Sequence, residues 1–161
     1  EERATIGALV PWTRILRHSE GATPDGERVP DLAAWVAAHP ERLVVKRSWD
    51  YGGKSVLLGP DCSAWAERVT AAAVDPDAWV VQEFVAPRLA RHLLVERDPA
   101  GRPTPVWRDL FVDTSVYTNH GVEVHPRGGV CRASGSKIVN ILGGGGLTPL
   151  IPTSVHTELF R

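Results

Sequence analysis

The chain has 161 residues, 43% of them hydrophobic and 23% charged, with a formal net charge of -1. That suffices for one domain or for two small lobes sharing a core, with the composition of an ordinary globular protein. A near-neutral balance excludes recruitment of nucleic acid or a membrane surface by a global field, and no stretch reads as a transmembrane span or signal peptide.

Cys62 and Cys131 have no His or Cys partner at metal-ligand spacing and read as reduced thiols, which points to a cytoplasmic setting, with a single disulfide between them as the alternative. The opening at Glu1 without Met and the close at Arg161 read as domain boundaries within a longer protein, with a preceding amino-terminal domain. Six tryptophans in so short a chain are expected to serve the core, Trp49 excepted.

Residues 1–30 form a lead-in with a turn at Pro24-Asp25-Gly26. Asp31 to His39 reads as a helix because Leu32, Trp35 and Val36 recur at helical spacing, and Pro40 ends it. Arg42 to Arg47 is a β-branched run of strand length, and Lys54 to Leu58 is its return strand. Ser63 to Val74 reads as a second helix, with Ser63 as N-cap and Trp65, Val69, Ala72 and Ala73 on one face. Ala78 to Val85 reads as a strand buried on both faces.

In the second half, Leu89 to Arg97 and Pro105 to Val112 read as strands joined by the turn Asp98-Pro99-Ala100-Gly101. Gly128 to Ala133 and Lys137 to Leu142 read as a hairpin around Ser134-Gly135-Ser136, followed by the glycine run 143–146 and a weakly helical end. His120 and His125 flank a loop. Strands of mixed spacing with few helices predict an α+β fold rather than a doubly wound sheet.

Three constellations carry chemistry. Lys46 followed by Asp50-Tyr51-Gly52-Gly53-Lys54 can hold phosphates, because glycines let backbone N–H groups come close and lysine supplies a mobile charge. The Walker spacing is absent, and on composition alone a tight hairpin with a solvated lysine is the commoner explanation. Val80-Val81-Gln82-Glu83-Phe84-Val85 is a strand whose polar end could meet a purine, or a plain core strand. Asp113, Arg132 and Asn140 could hold Mg²⁺ and a phosphoryl group, or be ordinary turn and cap residues.

Their order along the chain resembles the ATP-grasp superfamily, in particular uncharacterised bacterial ATP-grasp proteins related to glutathionylspermidine synthases. The resemblance rests on Val10-Pro11-Trp12-Thr13-Arg14, Val44-Val45-Lys46, the Asp50 to Val56 loop and Trp79 to Glu83. It continues through Val112-Asp113, Tyr117, Arg132-Ala133-Ser134, Val139-Asn140 and Gly144-Gly145-Gly146 before Pro149.

The resemblance implies two small α+β lobes, 31–85 and 86–161, with antiparallel or mixed sheets clasping ATP. Lys46 would contact the α-phosphate side. Gly52, Gly53 and Lys54 would form a flap over the β- and γ-phosphates. Gln82, Glu83, Phe84 and Val85 would line the adenine edge. Asp113, with Asp109 as its rival, and Asn140 would hold Mg²⁺; Arg132, with Lys54, would act on the transferring phosphoryl group. Ile138 stands where many ATP-grasp enzymes carry an acid, and the order of elements does not imply glutathionylspermidine chemistry. The implied activity is ATP-dependent joining of a carboxylate to an amine or thiol through an acyl phosphate, which a fragment without its amino-terminal domain need not show. A non-catalytic nucleotide-binding or interaction domain of the same fold, and a purely structural α+β domain, stay open beside it. Neither nucleic acid nor a membrane is an expected partner.

Overall fold

The computed structural model describes residues 2–75, 78–118 and 126–148. The chain divides into two compact units, Glu1–Ala86 and Pro87–Arg161. The first holds α1 (Glu2–Leu9), β1 (Thr13–Ile15), β2 (Gly21–Ala22), β3 (Arg28–Val29), α2 (Leu32–Ala38), β4 (Leu43–Arg47), β5 (Val56–Leu58), α3 (Trp65–Ala73) and β6 (Trp79–Glu83). The second holds β7 (Leu89–Arg97), β8 (Pro103–Thr118), β9 (Pro126–Ser134) and β10 (Gly146–Thr148). All described strand pairs are antiparallel, so the fold is α+β. No helix among the described residues is long and apolar enough to cross a membrane.

The first unit is organised by one sheet in the order β1-β6-β4-β5. Alternation along β4 sends Leu43 and Val45 to one face and Val44 and Lys46 to the other. On the first face, Leu43, Val45, Leu57 and Val81 pack in one core with Val36 of α2 and Trp65 and Val69 of α3. Full burial of each such Val or Leu contributes about 1.5–3 kcal/mol. Residues 13–16, expected only as lead-in, supply the edge strand β1 and Leu16, which is fully buried in this core. The turn at Pro24-Asp25-Gly26 closes the small β2–β3 hairpin, with Gly26 at φ 85. In β6 only Val81 is buried; its neighbours are half-buried, so the strand is not closed off on both faces.

The helix start at Asp31 follows from a cap: its Oδ1 accepts the Ala34 N–H at 3.0 Å. Its Oδ2 lies 2.9 Å from His18 Nδ1. These bonds, His18 first and the Ala34 amide second, hold the Asp31 carboxyl below its ordinary value. Asp31→Ala should therefore cost about 1 kcal/mol of stability near neutral pH, and Asp31→Asn, which keeps an oxygen at the cap, noticeably less. Because the folded-state value is depressed, the charged contribution is complete above about pH 4 and lost as pH falls through the lower folded value. Urea unfolding of both variants at pH 7 and pH 3 checks this. An Asp31→Ala deficit that did not shrink at the lower pH would contradict it.

Ser63 does not cap the second helix. Ala64 occupies the N-cap and makes no side-chain cap bond, and the helix begins at Trp65. Its apolar face is as expected, with Trp65, Val69, Ala72 and Ala73 all buried.

The second unit is a sheet in the order β10-β9-β8-β7. The turn at Asp98 to Gly101 joins β7 to β8 as expected, but β8 runs much further than Val112. The expected strand Lys137 to Leu142 is absent. A loop and a short 3-10 turn, Ile141–Gly143, take its place, and β9 pairs instead with β10. The reason is local: Asn140 Oδ1 accepts the Leu142 N–H at 3.0 Å, satisfying the backbone in a turn rather than a ladder. Gly144 then takes φ 95 to bring the chain back. The buried positions among the described residues of this unit are Cys131, Ala133 and Ser134, all small. The core tryptophan expectation fails here, since Trp107 is largely exposed. His120, His125, Pro149 and the weakly helical end lie outside the described residues, as does the side chain of Tyr117.

Candidate functional site

The sheet of the first unit has one face committed to the helices, and Lys46 stands on the other. Register places Val44 opposite Gln82 and Lys46 opposite Val80, so Lys46 and Gln82 are diagonal neighbours on the same face. Lys46 Nζ donates to Gln82 Oε1 at 2.8 Å. Gln82 Nε2 donates to Thr13 Oγ1 at 2.8 Å, and the Thr13 hydroxyl donates to the Pro11 carbonyl at 2.9 Å. A relay of three side chains from three strands thus fixes a half-buried ammonium beside a carboxamide. Thr13 belongs to the Val10 to Arg14 segment that carried part of the resemblance, but the sequence assigned it no role.

The loop after β4 is anchored at its base and glycine-rich at its tip. The Ser55 hydroxyl and the Tyr51 N–H both donate to the Asp50 carboxylate, the latter at 2.8 Å. The Ser55 bond, then the Tyr51 amide, hold Asp50 below the usual carboxylate range. Gly52 and Gly53 sit at φ 70 and 72, backbone that side-chain-bearing residues rarely adopt. Lys54 Nζ lies 5.1 Å from the Tyr51 ring centroid, and Trp49 and Tyr51 are largely exposed. The loop therefore presents a cation and two aromatic rings to solvent around its two left-handed glycines.

At the end of β6 the candidate adenine-edge residues separate. Gln82 shares the Lys46 face, whereas alternation puts Glu83 on the opposite one. The Glu83 N–H donates to the Trp12 carbonyl at 2.8 Å and the Phe84 N–H to the Arg42 carbonyl at 2.7 Å. Those two amides are thus engaged within the unit. Glu83 and Val85 line a groove of about 740 Å³ together with Trp12 and Arg14.

In the second unit, Asp113 and Arg132 face each other across β8 and β9. Arg132 Nε donates to Asp113 Oδ1 at 3.0 Å, Nη2 donates to Oδ2, and the backbone N–H adds a third contact at 3.3 Å. This is a forked ion pair of the kind arginine favours. Asp109, the rival, is exposed and stands opposite Arg91. Asn140 lies close to the end of β9: a Cβ on Gly145 would be 2.7 Å from the Asn140 carbonyl oxygen and 2.9 Å from that of Ala133. Its Oδ1 is engaged by Leu142.

As arranged, these donors match a resident Mg²⁺ poorly. Mg²⁺ requires oxygens free to turn toward it, and both Asp113 oxygens are held by Arg132. Among the described residues no cluster of three His, Cys, Asp or Glu side chains has a metal-binding arrangement. Cys62 and Cys131 are both free thiols.

No protein-family model, curated protein or solved structure matches the chain.

Proposed function

We propose that this chain is the nucleotide-binding part of a cytoplasmic ATP-dependent ligase of ATP-grasp type, which activates a carboxylate as an acyl phosphate for attack by an amine or thiol. One observation carries the reading. Lys46 is tethered to Gln82 on the sheet face that the helices leave free, and the loop that follows presents two left-handed glycines and Lys54. A positioned ammonium beside a loop of left-handed glycines that carries a second lysine is what a polyphosphate needs, since phosphoryl transfer depends on placement and charge neutralisation rather than on a protein nucleophile. Mg²⁺ would arrive on the phosphates of the nucleotide, which commonly supply part of its coordination shell.

The forked Asp113–Arg132 pair favours a second reading. With that carboxylate neutralised, the domain would bind nucleotide without turning it over.

Calorimetric titration with Mg²⁺-ATP tests the core of the proposal. Saturable binding is expected, and Lys46→Ala should weaken it by roughly 10- to 100-fold, the worth of one charged hydrogen bond. Circular dichroism establishes that the variant is folded. Binding indifferent to Lys46, or none at millimolar ATP, would reject the placement or the function respectively. An Asp113→Asn variant that leaves affinity unchanged while the intact protein lacks turnover would favour the second reading.

A further inference from the structure

The groove beside the end of β6 includes neither Lys46 nor the glycine loop among its described lining residues; it does hold Glu83 and Val85, which the resemblance set along the adenine edge, but alternation turns Glu83 away from the face of Lys46 and Gln82. Its volume of about 740 Å³ falls in the range of small-ligand sites. Leu9, Val10 and Val85 are 77%, 54% and 66% exposed, an apolar cluster beside Trp12 that solvent alone does not explain.

Two opposite charges flank this apolar lining. Glu83 is half-buried, and its carboxylate has no hydrogen-bond or ion-pair partner among the described residues. The cation whose charge it feels, Arg42, is already held in a fork by Asp25, at 2.7 and 3.1 Å. Arg14 uses one N–H on the Thr13 carbonyl at 2.8 Å and lies 5.4 Å from the Trp12 ring centroid, which leaves most of its donors open. The two do not pair with each other. A half-buried acid without a partner calls for a cationic group, and an open guanidinium for a carboxylate.

We infer that this groove binds a short zwitterionic peptide with apolar side chains, its amino terminus at Glu83 and its carboxylate at Arg14. The apolar body lies along Leu9, Val10, Trp12 and Val85. Trp12 is a rigid wall for it, because its indole N–H is fixed to the Ala22 carbonyl at 3.1 Å.

The test uses the tripeptide Leu-Leu-Leu, its N-acetyl form and its carboxy-terminal amide, titrated into the protein while the Trp12 indole and Gly7 amide resonances are followed. The free tripeptide should bind saturably and move both resonances. Each blocked form should bind about tenfold more weakly, the effect of removing one charge-assisted bond. Glu83→Gln should weaken the free peptide by about tenfold yet leave the N-acetyl form unaffected, and Arg14→Gln should behave in the same way toward the amide. Equal binding of all three peptides, or variants that lose free and blocked forms alike, would overturn the assignment. So would the absence of any shift at millimolar peptide in a protein that circular dichroism shows to be folded.

Discussion

Trp65→Ala is expected to lower the unfolding free energy of the first unit by about 4 kcal/mol, the largest single effect foreseen in this chain. Trp65 is 3% exposed and packs at the junction of α3, α2 and the sheet. Its removal deletes the largest side chain of that core, and the backbone around it is held by β4, β5 and β6 and cannot collapse into the space. A domain of this size has only about 5–15 kcal/mol to lose, so a midpoint shift should be plain in urea unfolding followed by far-ultraviolet circular dichroism. Trp65→Phe separates packing from hydrogen bonding. The indole Nε1 donates to the Val36 carbonyl at 2.8 Å, but that carbonyl also accepts the His39 N–H at 3.1 Å. Losing the indole bond leaves the acceptor satisfied, and Trp65→Phe should cost about 1–2 kcal/mol. Equal losses for the two variants would mean that the aromatic bulk is not what holds α2 and α3 to the sheet.

The residues that make this core were legible because they repeat. Leu32 and Val36, and then Trp65, Val69, Ala72 and Ala73, fall at helical spacing, and all are buried. The strand Leu43 to Arg47 was equally plain from its β-branched run. What failed were readings in which a polar side chain or a glycine could choose between local options. Ser63 looked like a cap one residue too early. Ile138, Val139, Ile141 and Leu142 looked like a strand, but Asn140 satisfies the backbone of its own turn, and the following glycines bring a different segment, β10, to β9.

The candidate site shows the same division. Lys46 and Gln82 could each be singled out, but their hydrogen bond spans 36 positions and depends on the register of β4 against β6. Period-two alternation also separates Gln82 from Glu83, which sequence order alone grouped together. Asp113 and Arg132 were assigned different partners, a metal and a phosphate, whereas cross-strand register binds them to each other.

Gly59 is the case in which the sequence showed the position but not its physics. Gly59-Pro60 reads as punctuation after a strand, and a turn glycine replaced by alanine costs roughly 1 kcal/mol. In the folded chain Gly59 is buried at the start of the 3-10 turn Gly59–Asp61. A Cβ there would lie 1.8 Å from the Pro40 carbonyl oxygen and 2.7 Å from that of Leu43. Both obstacles are backbone, so no rotamer change relieves them. The clash forces apart the turn before β4 and the turn after β5, the two ends of the hairpin that carries Lys46 and the glycine loop. Gly59→Ala should therefore cost about 3 kcal/mol. Gly26→Ala is the control: Gly26 has φ 85, but its Cβ would meet nothing within 4 Å, so only backbone strain of about 1 kcal/mol is at stake. Gly59 is not among the positive-φ glycines, so Gly26→Ala sets the scale of a backbone effect that Gly59→Ala lacks, and a larger loss at Gly59 is a packing effect. If Gly59→Ala proves no worse than Gly26→Ala, the close seating of Gly59 against Pro40 and Leu43 is wrong. If the expected difference appears, weakened Mg²⁺-ATP binding by the still-folded fraction of Gly59→Ala would tie the placement of the hairpin to the function proposed for Lys46.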